Sequence, residues 1–130
     1  MIVDTSALVA ILRNEPEALI FAATLNAARR KMIAAPTYLE SAMVMVGRKS
    51  AGGKIALDEL LAEAGIEIVP FDSDAARIAV ESFIRFGKGR HPAGLNFGDC
   101  FSYALSKVTG QPLLFVGDDF ARTDVPAVAW

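Results

Sequence analysis

Apolar positions along this chain follow two alternating rhythms: short unbroken runs bounded by turn residues, and longer stretches in which they return every three or four residues. The first rhythm predicts buried strands and the second predicts amphipathic helices. Met1 to Val3 predicts a strand, after which Asp4-Thr5-Ser6 caps a helix through Leu12. Pro16 suits the first turn of a second helix running to about Ala28, with Leu19, Ile20, Ala23 and Ala27 inward. "KMIAAP" predicts a second strand stopped by Pro36, followed by a helix from Thr37 to about Lys49. Gly52-Gly53 separates that helix from "KIALDELLAEA", which Gly65 ends. "IEIVP" is the third strand, and Asp72 or Ser73 caps the helix "DAARIAVESFIRF". A Gly-rich basic loop, "GKGRHPAG", leads into "LNFGDCFSYALS", whose helical stripe is Phe97, Phe101, Ala104, Leu105 and Val108. The strand "PLLFV", the loop "GDDFARTDV" and a short last strand, "AVAW", complete the chain.

Strands alternate with helices throughout, as expected when helices cover both faces of a parallel sheet. The expected fold is α/β: a three-layer α/β/α sandwich with a mostly parallel sheet of about five strands, forming one domain over residues 1–130. At 130 residues and 53% hydrophobic content the chain can bury a core of its own. The apolar N-terminus is interrupted by Asp4 and too short to span a bilayer, so a cytoplasmic protein without a membrane partner is expected. One cysteine excludes an internal disulfide or a multi-thiolate zinc site, and one histidine, His91, excludes chemistry needing two imidazoles. Cys100 reads as a small buried hydrophobe, Met32, Met43 and Met45 as core, and Trp130 as a packing or interface residue. The net charge of −2 gives no global sign of nucleic acid, but cations gather locally, among them Arg85, Lys88 and Arg90 beside His91.

In open α/β sheets, ligands bind beyond the carboxyl ends of the strands. Asp4 falls there after the first strand, and Asp118 and Asp119 fall there after "LLFV". Glu40 interrupts the apolar "YLESAMVMV", where an ionised carboxylate is costly unless it is paired, metal-bound or able to reach solvent. Asp99 stands three residues after Asn96, the spacing of a capping box. Each acid has an ordinary account as an N-cap, a capping-box member, a helix-edge acid or a turn residue. Those separate accounts leave unexplained why all of them belong to segments expected at one edge of the sheet. Four clustered carboxylates repel and take up protons unless a cation sits among them. An all-oxygen set suits Mg2+ or Mn2+ rather than Zn2+.

"MIVDTSALVAIL", "PTYLESAMV" and "GKGRHPAGLNFGDCFSYALSKVTGQPLLFVGDDFARTDV" closely resemble the PIN-domain ribonucleases, specifically the VapC-type toxins of bacterial VapBC toxin–antitoxin pairs, from Met1 to Val125. The resemblance implies four site acids: Asp4, Glu40, Asp99 and, in "GDDF", Asp119 with Asp118 as the alternative. It implies that Thr5 or Ser6 supports Asp4, and that Asp4 and Asp99 hold a metal that takes the position a backbone amide would otherwise fill beside Asp99. The implied activity is Mg2+-dependent endonucleolytic hydrolysis of RNA. A metal-activated water acts as nucleophile and leaves 5′-phosphate and 3′-hydroxyl ends. Lys88, Arg90 and His91 are the expected RNA contacts. The implied protein partners are a second copy, forming a homodimer, and a VapB-type antitoxin wrapped over helical grooves near the acids. Leu57, Leu60 and Leu61 with Ile20 and Phe21 serve either that docking or the core. A phosphoacceptor signalling domain using Asp72 is a rival reading that lacks a suitable late lysine. A catalytically silent RNA-binding domain is another, and a flap-type DNA nuclease would need insertions for which the chain has no room.

Overall fold

The computed structural model describes all 130 residues. The chain runs β1 (Ile2–Val3), α1 (Thr5–Leu12), α2 (Ala18–Ala27), β2 (Lys31–Ala34), α3 (Ala35–Lys49), α4 (Ala51–Ala64), β3 (Ile66–Val69), α5 (Ser73–Phe86), α6 (Phe97–Thr109), β4 (Leu113–Leu114) and a 3-10 turn at Phe120–Arg122. All strand pairings are parallel, in the order β3-β2-β1-β4. Successive strand residues point to opposite faces. Ile2, Met32, Ala34 and Leu113 join one core with Ala79 and Phe86 of α5 and Tyr103, Ala104 and Leu105 of α6. Val3, Ile33 and Leu114 join the other, with Leu8 of α1, Phe21 and Leu25 of α2, and Leu57 and Leu61 of α4. The expected three-layer sandwich is present, and no helix is long and apolar enough to cross a membrane.

The sheet has four strands rather than five. "AVAW" contributes only a single parallel bridge, Leu113 to Ala127, because Pro126 has no N–H to give. β4 is short for a related reason: the Val116 amide donates to Ser6 Oγ at 3.0 Å instead of continuing the ladder.

α2 is rotated from its expected register. Ala18, Phe21 and Leu25 are buried, whereas Leu19, Ile20, Ala23 and Ala27 all face solvent. "ALIFAATLNA" is apolar nearly all round, so its period selects no face, and the large Phe21 and Leu25 take the core. α3 begins at Ala35 with Pro36 in its first turn. The break before α4 falls at Ser50 (φ 52°), not at the glycines. Gly53 instead lies inside α4, where a Cβ would run into the Met45 carbonyl, and so lets α3 and α4 approach.

Asp72 caps α5 by accepting from Ala75 N at 2.9 Å, and Gly65 ends α4 at φ 64°. On α6, Ala104 and Leu105 are buried and Phe101 half-buried, but Phe97 and Val108 are exposed. Met32, Met45 and Cys100 are core as expected, while Met43 faces solvent. Trp130 is half-exposed and sets its ring edge-on against Phe21, with centroids 5.0 Å apart. Leu57, Leu61 and Phe21 are core, so the set that also named Leu60 and Ile20 forms no docking face.

Candidate active site

The carboxyl ends of β1, β2 and β4 share one edge of the sheet, and the N-terminus of α6 sits against it. Asp4, the first residue beyond β1, is 3% exposed and caps α1. Its Oδ2 accepts from Ser6 N (2.9 Å) and Ser6 Oγ (2.6 Å), and its Oδ1 accepts from Ser102 Oγ (2.6 Å). Ser6 in turn receives the Val116 amide, tying Asp4 to the end of β4. Thr5 is also buried; Ser41 Oγ donates to its hydroxyl at 3.2 Å, and Thr5 hydrogen-bonds the Glu40 carboxyl.

Asp99 and Asn96 form a complete capping box: Asn96 N donates to Asp99 Oδ2 at 2.8 Å, and Asp99 N donates to Asn96 Oδ1 at 2.9 Å. The amide therefore keeps the place expected for a metal, and any cation must use the remaining lone pairs of Asp99. Burial pushes the Asp99 carboxyl up to about 7, and the negative charges of Asp4, Asp119 and Glu40 act in the same direction against the Asn96 hydrogen bond. Glu40, half-buried on α3, is also raised, by burial first and by the Asp4 charge, against the Thr5 hydrogen bond. Its carboxylate lies over Gly98, where any Cβ would collide with it.

Within "GDDF", Asp119 is the acid whose charge reaches Asp99. Asp118 is highly exposed and faces Arg122 at 4.0 Å. No lysine or arginine pairs with Asp4, Glu40, Asp99 or Asp119.

The basic loop is less closely engaged. Lys88 and Arg90 are exposed, and the Arg90 guanidinium lies 5.7 Å above the Phe83 ring. His91 Nδ1 accepts from Ala93 N at 3.1 Å, and its ring meets Phe86 edge-on at 5.1 Å. None of the three contacts the four acids through a hydrogen bond or an ion pair.

The acids fit a hard cation by donor chemistry, since all are carboxylates and no lysine or arginine is paired with them. No three of them are drawn together as a ready coordination shell. A carboxylate offers about four lone-pair sites. Asp4 commits three of its sites and Asp99 one, so Asp4 suits a single bond to an ion and Asp99 has more to give. Ser102 and Gly98 belong to the site as well, although nothing in the local sequence marks Gly98. Ser102 lies one helical turn after Asp99 on the same face, which was the available clue.

A profile of the PIN domain family matches residues 1–126. The chain is 46% identical over 129 residues to Ribonuclease VapC30 of Mycobacterium tuberculosis, covering 99% of this chain and 98% of that protein. It is 48% identical over 128 residues to Ribonuclease VapC of Mycolicibacterium smegmatis, covering 98% and 99%. Among solved structures, M. tuberculosis VapC20, described as a Sarcin-Ricin loop cleaving toxin, superposes with a TM-score of 0.79 at 17% identity over 98% of this chain and 97% of that one. A toxin–antitoxin complex from Klebsiella pneumoniae gives 0.69 at 21% identity, over 95% and 92%. At such identities the two structures establish the fold. The chain belongs to the PIN domain family, among its VapC ribonucleases.

Proposed function

We propose that this chain is a divalent-metal-dependent endoribonuclease, the toxin of a type II toxin–antitoxin pair. It hydrolyses RNA in the cytoplasm to leave 5′-phosphate and 3′-hydroxyl ends. The observation that carries the reading is geometric: Asp4 after β1, Glu40 on α3, Asp99 at the start of α6 and Asp119 after β4 come to one edge of the sheet, and no lysine or arginine pairs with any of them. Proteins 46% and 48% identical to it are named ribonucleases, which agrees.

Asp4 and Asp99 would hold Mg2+ or Mn2+, with Glu40 and Asp119 flanking them. When bound, such an ion supplies Lewis acidity, activating a water for in-line attack and offsetting charge on the scissile phosphate. Ser6 and Ser102 fix Asp4 from both sides, so it does not reorganise during the reaction. Glu40, shifted toward its neutral form, is suited to receive the proton of the attacking water. Asp119, exposed at the outer edge, completes the set on the RNA side. Lys88 and Arg90 meet RNA phosphates beside the cut, and His91 offers its free Nε2.

Purified protein incubated with total RNA should give discrete Mg2+-dependent cuts bearing 5′-phosphates, abolished by EDTA and by Asp99→Asn. Ends carrying 2′,3′-cyclic phosphates would refute the hydrolytic route, and intact RNA from folded protein would refute the activity. The phosphoacceptor reading fares worse. Asp72 follows β3, the edge strand of the sheet, and its carboxylate is already committed to the Ala75 amide.

The homodimer and the VapB-type antitoxin belong to the same proposal. Two apolar grooves of roughly 500–600 Å3 flank the Phe97–Phe101 ridge, one toward α5 and one toward α3. Exposed Val80 and Ile84 line the first, exposed Met43 the second, and exposed Phe97 both. A two-fold interface pairs a patch with its own copy, so in the homodimer the ridge of one protomer would seat in a groove of the other. Glu40 lines the α3 groove, so a protein seated there lies at the acids.

A further inference from the structure

α6 holds more of the acidic edge than Asp99. One turn beyond it, Tyr103 is almost completely buried, yet its hydroxyl donates to Asp124 Oδ1 at 2.6 Å. Asp124 Oδ2 also accepts from Lys107 Nζ (3.2 Å) on α6 and Arg85 Nη1 (3.4 Å) on α5. These donors hold the Asp124 carboxyl below its ordinary range, with the Tyr103 hydroxyl the chief cause. The two cations are partly exposed and their pairs are weak; the short O–H to carboxylate bond is charge-assisted and dominates.

Asp124 lies on the same segment as Asp119, and between them the chain is tied down. Phe120 is buried with its ring 5.1 Å from Phe115, Thr123 Oγ1 donates to Phe120 O at 2.7 Å, and Arg122 Nη1 donates to Pro92 O at 3.3 Å. Asp119 itself is exposed and makes no side-chain cap to the turn it begins. Its place near Asp99 is therefore set by what anchors the segment on either side.

We propose that Tyr103 and Asp124 form a clamp that sets Asp119 against Asp99, making both of them positioning residues for the acidic edge. The catalytic consequence rests on the proposed ribonuclease reading, whereas the clamp itself is testable in the metal-free protein. In the full chain, Tyr103→Phe, Asp124→Ala and Asp124→Asn are compared in two measurements. One is amide hydrogen exchange over residues 118–123. The other is kcat and KM for Mg2+-dependent cleavage of an oligoribonucleotide carrying a cut site mapped in total RNA.

Tyr103→Phe raises exchange of that segment about tenfold while the sheet and α5 keep their protection. It lowers kcat about tenfold with KM changed less than about twofold, as a misplaced group requires. Asp124→Asn still offers an oxygen to Tyr103 and recovers most of both effects relative to Asp124→Ala. The clamp is overturned by unchanged exchange at 118–123, by exchange that rises everywhere together, by Asn no better than Ala, or by a change confined to KM. If the wild-type protein cuts no RNA, the ribonuclease reading falls and the exchange measurement alone decides the clamp.

Discussion

Removing one negative charge from the acidic edge should make the metal-free protein more stable, and Asp99→Asn is the substitution that tests this. In an unfolded chain an aspartate ionises near 4; in the fold Asp99 does so at about 7. Between those values the folded state holds a proton that the unfolded state has lost, so stability falls as pH rises through the window and stays low above it. The full displacement corresponds to roughly 4 kcal/mol. Asp99 keeps partial contact with solvent, and screening reduces the figure to about 1–2 kcal/mol. Asparagine retains an oxygen for the Asn96 amide, so the capping box survives. In EDTA near pH 8 the variant should melt about 3–8 °C above wild type, and the two should converge near pH 4. Adding Mg2+ to about 10 mM should raise the wild-type midpoint and narrow the gap. An Asp99→Asn midpoint at or below wild type in EDTA near pH 8 would refute the argument. A gap independent of pH would show that its origin is not the charge.

Three further outcomes follow from the same geometry. Gly98→Ala adds a methyl group where the Glu40 carboxylate lies, so RNA cleavage should fall at least about tenfold while thermal stability holds or rises by up to about 1 kcal/mol from helix propensity; unaltered cleavage would mean Glu40 is not needed where it sits. Ser102→Ala removes the donor that ties buried Asp4 to α6 and should cost about 1–3 kcal/mol in urea titration; a loss below about 0.5 kcal/mol would mean the bond contributes nothing net. Ile84→Glu, made with Met43→Glu, places a charge in each apolar groove and should convert a dimer to a folded monomer in sedimentation; a dimer that persists would place the interface elsewhere.

The alternation of strand and helix was legible because each strand is a short apolar run closed by Gly, Pro or a capping acid. The orientation of α2 was not, since a helix apolar on nearly every side carries no periodic information and side-chain volume chooses its face. The shortness of β4 was hidden for a different reason: its ladder is ended by Ser6, 110 residues away in the chain. Three of the acids stood out because they sit at element ends, where Asp4 and Asp99 do act as caps, and Glu40 because it interrupts the apolar face of α3. The amide thus keeps the position beside Asp99 expected for the metal, because Asn96 closes the capping box on its own. Ser102 and Gly98 left no such trace, because a serine or glycine within a helix acquires meaning only from what approaches it.

The bond between Ser102 and Asp4 joins residues 98 apart, and the strands that meet at the site, β1 and β4, come from opposite ends of the chain. Synthesis proceeds from the N-terminus at roughly 5–20 residues per second, so Asp4 waits several seconds for its partners. Until residues near 119 have left the ribosome, β1 lacks its β4 partner and the edge lacks its fourth acid. If the four acids cut RNA as proposed, the order of translation would act as a safeguard, since a nascent copy would lack the complete site while its own message is being read.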